Sequence, residues 1–115
     1  MSKRNWTLFV QDMLESIDHI VQYTSGMSFQ DFLQDHRTQD AVVRNLEVLG
    51  EAARRIPPAI QERYPEIQWA QIVSLRNRLI YGYFLVDYGI VWEIVQNELP
   101  PLRQRLEQII QELSG

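Results

Sequence analysis

Residues 75–84 read Leu-Arg-Asn-Arg-Leu-Ile-Tyr-Gly-Tyr-Phe, a stretch that sets cationic, amide and phenolic side chains into an apolar helical pattern. Apolar residues recur here at three- and four-residue spacing, which predicts a helix from about Trp69 to Tyr81 with a core-facing stripe. Arg76 falls in the middle of that stripe. Because an unpaired buried cation is costly, Arg76 is predicted either to pair with a carboxylate or to face a cleft. The stripe consists of Trp69, Ile72, Val73, Leu79, Ile80 and Tyr83.

The chain before this stretch also has helical periodicity. A long amphipathic helix begins near Trp6 and ends at Ser25-Gly26, where glycine suits the left-handed position that follows a helix. Ser28 and Asp31 have the spacing of a capping box and predict the start of a short second helix. The sequence therefore predicts two helices before residue 35.

A third helix is predicted from about Thr38 to the Pro57-Pro58 pair, which stops it. Asp87 is placed to cap a last helix, whose apolar period continues through Pro100-Pro101 without a change of phase. No segment has the pattern of a strand. The prediction is an all-α fold, a small antiparallel bundle of about five helices kinked at Pro100-Pro101, forming one domain over residues 1–115.

Composition excludes several classes of function. The absence of cysteine rules out disulfides, thiolate metal sites and thiol catalysis, and the net charge of −4 argues against a broad basic surface for nucleic acid. A local basic cleft is still compatible with the sequence, because seven of the eleven cations lie between Arg37 and Arg78. The N-terminus resembles neither a signal peptide nor a membrane span, so a cytoplasmic location without membrane contact is expected. No phosphate-binding glycine loop or metal-ligand spacing is present, so no cofactor or metal is predicted.

The residues alone leave several roles open. Arg76 is either a functional cation or a structural one paired with Glu47 or Glu51. Ordinary surface pairing is the simpler interpretation of those glutamates, since Arg44, Arg54 and Arg55 are close to them in sequence. His19 is predicted to be solvated, and His36 to lie in a loop or at a helix start, where it reaches a cleft only if the fold brings it there.

The motif resembles that of HepT-like proteins of the HEPN superfamily, in which Arg-Asn is followed, after three residues, by a histidine, one spacer and a tyrosine. Here these positions are Arg76, Asn77, Tyr81 and Tyr83. The resemblance extends over about residues 8–110. Two further blocks carry it: Arg44-Asn45-Leu46-Glu47 with Leu49-Gly50-Glu51-Ala52, and Val86-Asp87-Tyr88 with Val91-Trp92.

The resemblance implies a homodimer or higher homo-oligomer whose motif residues face a shared cleft. It implies a toxin that cleaves RNA without a metal, with transfer RNA as one candidate target, controlled by a minimal nucleotidyltransferase antitoxin. Arg76 would then contact the scissile phosphate, Asn77 would orient Arg76 or the substrate, and Tyr83 would be the tyrosine to which the antitoxin transfers AMP. Glu47 and Glu51 would be supporting residues.

The chain departs from the pattern at one position, because Tyr81 stands where the family has its histidine. A histidine has a pKa near neutrality and suits general acid–base catalysis, whereas the unperturbed pKa of tyrosine is about 10. Tyr81 can donate a proton or a hydrogen bond, but it is a poor base at pH 7. Two alternatives therefore stand beside the ribonuclease: a catalytically silent dimeric binding module, and an accessory subunit that presents a small molecule to the nucleotidyltransferase.

Overall fold

The protein, in a computed structural model, is described over residues 5–81 and 85–114, with the backbone alone for Tyr81 and Ser114. It is all-helical apart from one pair of two-residue strands. The helices are α1 (Trp6–Thr24), α2 (Phe29–Leu33), α3 (His36–Arg54), α4 (Pro58–Arg63), α5 (Trp69–Val73), α6 (Leu75–Leu79), α7 (Tyr88–Glu93) and α8 (Leu99–Ser114), with a π-helical segment, Ile94–Glu98, joining the last two. This confirms the predicted all-α class and the helical bundle.

Helices α1 and α3 form the central pair. His19 of α1 contacts Asn45 of α3, whereas the earlier Asp12 lies near the later Ala52, so the two helices run antiparallel. Helix α8 packs on α1, and Arg103 of α8 forms an ion pair with Asp18 at 2.5 Å. One apolar core fills the space between these helices. Its largest fully buried side chains include Met13, Ile17, Ile20, Phe32, Leu46, Leu49, Leu75, Leu79, Ile94, Leu99 and Leu106.

The predicted helix ends before residue 35 are confirmed in detail. Gly26 has φ +78° after the end of α1, and the Ser28–Asp31 capping box is complete, with both reciprocal hydrogen bonds present. Helix α3 begins at His36, slightly earlier than predicted, because the Asp35 carboxylate accepts a hydrogen bond from the backbone N–H of Thr38 at 3.0 Å. A capping aspartate, which the sequence analysis did not use, therefore sets this boundary.

The helical path through Pro100 and Pro101 is continuous, as predicted, but its irregularity precedes the prolines. The π-helical segment occupies Ile94–Glu98, and Leu99 keeps a helical φ of −70° and ψ of −40°. Proline cannot donate to the preceding turn and its ring crowds the carbonyl four residues before it. The wider π turn relieves that crowding and lets α8 begin with the two prolines in its first turn.

The predicted helix from Trp69 to Tyr81 is wrong in its continuity and its end. Ser74, with φ −90° and ψ 10°, separates α5 from α6, and α6 ends at Leu79. The chain then becomes extended and forms β1 (Ile80–Tyr81), which pairs antiparallel with β2 (Leu85–Val86). The sequence analysis missed this strand pair because two-residue strands are too short to have a period. Asp87 follows β2 and caps α7 as predicted, by accepting a hydrogen bond from the N–H of Ile90 at 3.1 Å.

The break at Ser74 also corrects the predicted position of Arg76. Beyond the break, Leu75 and Leu79 are the buried residues. The side of α6 that faces the core is therefore the side of Leu75, and not that of Arg76 as predicted. The side chain of Arg76 is 76% exposed. Arg76 therefore does not lie on a buried stripe, and its exposed side chain also has the predicted carboxylate partner, since its Nε lies 3.9 Å from Oε2 of Glu47.

Gly50 permits the close packing of α3 on the α5–α6 segment. A Cβ atom built on Gly50 would lie 2.9 Å from the backbone oxygen of Ile72 and 3.7 Å from the Cβ of Leu75. Backbone at Ile72 cannot move aside as a flexible side-chain end can, so any larger residue would push α5 and α6 away from α3. The absence of a side chain at Gly50 therefore permits the short distance between α3 and α5.

We expect Gly50→Ala to destabilise the protein, although alanine in a helix interior normally stabilises it by about 1 kcal/mol relative to glycine. The sign reverses because the added methyl collides with the Ile72 carbonyl. Thermal denaturation of Gly50→Ala beside wild type measures this change. A melting temperature at or above the wild-type value would show that the contact between α3 and α5 is not tight.

Candidate functional site

Four arginines meet in one groove on the surface of the molecule. The groove has a volume of about 700 Å³ and lies between the first half of α1, the second half of α3 and the α5–α6 segment. We call it the arginine groove. Its charged and amide lining residues are Asp12, Arg44, Glu47, Glu51, Arg54, Arg55, Arg76 and Asn77. Four arginines against three carboxylates give this lining a charge of +1 in a chain whose net charge is −4.

Arg76 is only loosely paired in this groove. Its Nε lies 3.9 Å from Oε2 of Glu47, at the outer limit of an ion pair, and its side chain is 76% exposed. An exposed pair at that distance contributes little to stability. The guanidinium therefore keeps its hydrogen-bond donors for a ligand, and a planar guanidinium suits a phosphate.

The adjacent residues on α6 divide between two sides of this short helix. Asn77 is exposed and lines the arginine groove beside Arg76. Arg78 points to the other side, where it donates two hydrogen bonds to Glu98 at 2.6 and 3.0 Å with only 28% of its side chain exposed. Of the two arginines in the motif, Arg78 thus joins α6 to the π-helical segment, and Arg76 faces the groove.

Glu51 is held by arginines of its own helix. It pairs with Arg54 at 2.8 Å and with Arg55 at 3.3 Å, which confirms the predicted local pairing. The hydrogen bond from Arg54 lowers the pKa of Glu51, so this carboxyl group is ionised at neutral pH and accepts hydrogen bonds without donating a proton. Glu47 differs, because its described partner is Arg76 across the groove.

Of the two tyrosines of the motif, only Tyr81 has a described backbone, and it follows α6. Tyr81 lies on β1, where its backbone pairs with Leu85, so the chain has reversed direction shortly after Asn77. The predicted helical conformation of Tyr81 is therefore wrong, since the helix has already ended at Leu79. The side chain of Tyr81 and the whole of Tyr83 and Gly82 lie outside the described residues, so their predicted places at the site stay predictions.

Neither histidine lines the arginine groove. His36 begins α3 and its Nδ1 lies 3.2 Å from Oε1 of Gln39. At 1.5 Å per residue it is about 22 Å along the helix from Glu51. His19, predicted to be solvated, is 42% exposed and its Nδ1 lies 3.3 Å from Oδ1 of Asn45. The fold therefore does not bring His36 to the groove.

Sequence reasoning found Arg76, Asn77, Glu47 and Glu51, and the structure places all four in the groove. It considered Arg44, Arg54 and Arg55 only as partners of the glutamates and did not assign them to a shared site. A usable signal was present: positions 44, 47, 51, 54 and 55 recur at helical spacing, which puts them along one side of α3.

The described residues form neither a metal site nor a membrane-spanning helix. Within residues 5–81 and 85–114, no group of three or more histidine, aspartate or glutamate side chains is arranged to hold a metal ion. No helix in the same ranges is both long enough and apolar enough to cross a membrane.

Comparison with known proteins identifies the family of the chain. The family model described as "Ribonuclease HepT-like" matches residues 13–109. A Methanocaldococcus jannaschii protein named as a candidate RNase is 39% identical over 115 residues, covering 100% of this chain and 95% of the relative. A Thermococcus cleftensis protein named "Probable ribonuclease HepT" is 37% identical over 107 residues, covering 93% and 97% of the two chains. No solved structure matches the chain.

The two arginines of α6 should differ in their effect on stability. We expect Arg76→Ala to change the free energy of unfolding by less than about 0.5 kcal/mol, because the side chain is exposed and loosely paired. Arg78→Ala should cost roughly 1–2 kcal/mol, because it leaves Glu98 without its two charged hydrogen bonds. Chemical denaturation of both variants, with the exposed Arg63→Ala as the control, measures the difference. Equal losses in Arg76→Ala and Arg78→Ala would make Arg76 a structural cation.

Proposed function

Because the chain belongs to the HepT-like ribonuclease family, we propose that it is a metal-independent endoribonuclease that cleaves RNA in the arginine groove. The observation that carries the proposal is the state of Arg76: a cation that is 76% exposed and faces a groove beside Asn77, with its nearest described carboxylate at 3.9 Å. A guanidinium in that state is available to stabilise the charge that develops on a phosphate during cleavage.

Without a metal, cleavage requires the RNA to supply its own nucleophile. The 2′-oxygen attacks the neighbouring phosphorus, the P–O2′ bond forms and the P–O5′ bond breaks. The 2′-hydroxyl proton passes to solvent water, and the departing 5′-oxygen takes a proton from an acid, leaving a 2′,3′-cyclic phosphate and a free 5′-hydroxyl. In this proposal Arg76 binds the non-bridging oxygens as negative charge builds on them, and Asn77 holds Arg76 or the strand in position.

Tyr81 is the proposed proton donor to the leaving oxygen. With an unperturbed pKa near 10, a phenol is protonated at pH 7 and can act as an acid, but it removes a proton poorly. Glu51 does not serve as the acid, because its pKa is lowered by Arg54 and it is ionised. General acid–base catalysis typically contributes 10²–10⁴ in rate, so losing one partner slows cleavage without removing the contribution of Arg76.

We propose that a nucleotidyltransferase antitoxin controls this activity by transferring AMP from ATP to Tyr83. The tyrosine oxygen attacks the α-phosphorus of ATP, a phosphodiester forms, and pyrophosphate leaves. Tyr83 follows the strand that leaves α6, so the added nucleotide is tethered within a few residues of Arg76. Its negative charge and bulk would compete with RNA for the groove. The active unit is proposed to be a homodimer, since a helical chain of 115 residues exposes several large apolar side chains, among them Leu85 and Ile90.

The test is RNA cleavage by purified protein in EDTA. We expect slow cleavage by wild type, an increase of up to about 10²–10⁴ in Tyr81→His, and loss of activity in Arg76→Ala. The products should carry 2′,3′-cyclic phosphate ends. Arg63→Ala lies on α4, outside the groove, and should cleave like wild type. No cleavage by wild type or Tyr81→His would favour the catalytically silent binding module.

Modification is tested separately by incubating the protein with ATP and a purified nucleotidyltransferase of the paired type. We expect the mass of one AMP to be added to Tyr83, no addition in Tyr83→Phe, and unchanged addition in Tyr81→Phe. Intact-mass measurement and peptide mapping report the site. Addition at Tyr81, or none at all, would contradict the proposed control.

A further inference from the structure

A second cavity lies on the other side of α6, between the α5–α6 segment and the π-helical segment with α8. It has a volume of about 430 Å³, within the range of small-molecule sites. We call it the aliphatic pocket. Its floor is made of buried aliphatic side chains: Leu49, Ile67, Ile72, Leu75, Ile94 and Leu99.

Charged residues flank this floor, but each is already paired. Arg78 donates two hydrogen bonds to Glu98 at 2.6 and 3.0 Å, and Arg105 forms an ion pair and hydrogen bond with Glu66. Two guanidinium groups and two carboxylates cancel in charge. The lining of the pocket therefore has no excess positive charge that would attract a free anion. The lining of the arginine groove, in contrast, has a charge of +1.

Neutral hydrogen-bonding groups line the same pocket. The side chains of Gln68 and Gln71 are exposed on its wall, and no hydrogen bond to either amide is described within residues 5–81 and 85–114. Each amide has a donor and an acceptor side. Asn97, also on the wall, has a side-chain amide that donates a hydrogen bond to Glu93 at 2.9 Å. The pocket thus combines an apolar floor with both donors and acceptors and no net charge.

We propose that the aliphatic pocket binds an unstacked nucleobase of the RNA strand whose backbone lies in the arginine groove. A nucleobase has flat apolar faces, a donor and acceptor edge, and no charge at neutral pH, which matches the three features of the pocket. A lipid chain would leave the amides unused, and a free phosphate would meet Glu98 and Glu66. Proteins that recognise single-stranded RNA commonly take splayed bases between apolar or guanidinium surfaces.

The position of α6 gives the strand a path between the two sites. Leu75 and Arg78 line the pocket, whereas Arg76 and Asn77 of the same five-residue helix line the groove. A helix with its side chains is about 10–12 Å across, so one strand can hold a phosphate on one side and place a nearby base on the other. The inference rests on the RNA-binding part of the proposed function, because binding in the arginine groove is what brings a strand to α6.

The binding test uses a short single-stranded 2′-O-methyl RNA, which lacks the nucleophile for cleavage and carries one 2-aminopurine as a fluorescent base. We expect binding to change the fluorescence of that base, and the double variant Gln68→Leu with Gln71→Leu to weaken binding about five- to tenfold. Gln71→Trp, which adds bulk from the exposed wall, should weaken it in the same way. Gln22→Leu, an exposed substitution on α1, is the matched control and should bind like wild type. Unchanged binding in both pocket variants would overturn the proposal.

A second arm identifies the source of the base. Free nucleosides and their monophosphates are titrated while NMR records the side-chain amide signals of Gln68 and Gln71. We expect shifts of similar size for a nucleoside and its monophosphate, because the pocket has no net charge. Shifts with free nucleosides but no fluorescence change with the RNA would overturn the RNA source. If cleavage depends on Arg76 but no amide signal shifts, the proposed pocket is overturned and the proposed nuclease is not. If the amide signals shift and RNA binds but no variant cleaves it, the pocket is supported and the nuclease is refuted.

Discussion

The close approach of Gly50 to the Ile72 carbonyl brings α3 against the segment that carries Arg76 and Asn77. Helix α3 approaches the α5–α6 segment so closely that a single Cβ atom would sit 2.9 Å from a backbone oxygen. That approach places Glu47 and Glu51 of α3 opposite Arg76, and it also puts Leu49 into the floor of the aliphatic pocket. The groove and the pocket are thus two sides of one packing arrangement, held at a fixed distance by the absence of a side chain.

The short helix α6 holds Arg76 and Asn77 at the groove. Five residues are too few to be stable alone, so α6 depends on burial of Leu75 and Leu79 and on the charged hydrogen bonds from Arg78 to Glu98. These three anchors leave Arg76 and Asn77 on the open side. A guanidinium on an anchored helix is better positioned than one on a loop, although the side chain itself stays exposed. Leu75, Arg78 and Leu79 therefore stabilise α6, while Arg76 and Asn77 of the same short helix stay accessible to a ligand.

In the proposed mechanism, phosphate binding by Arg76 and proton transfer by Tyr81 are separate contributions. The groove contains a cation and an amide, which are groups that hold and stabilise a phosphate, whereas the motif that the sequence resembles has a histidine at the position of Tyr81. Because the energetic roles of Arg76 and of the acid–base pair are separable, a strand can be bound well and cut slowly. The overall negative charge of the chain strengthens the dependence on a local cation, since long-range attraction to RNA is weak.

The sequence by itself determined the all-helical class, the capping residues at Ser28 and Asp87, the end of α1 at Gly26, and the identity of the motif, because each depends on neighbours within one turn. Tertiary structure alone decided the break at Ser74, the outward position of Arg76 and the strand pair after Leu79. The physical reason is that burial decides which residues face the core after a helix break. Burying Leu75 is energetically more favourable than burying Arg76, and the surface of α3 against which α6 packs sets that preference. The same packing was required to bring Arg76 to the three arginines of α3, because no local pattern contains that contact.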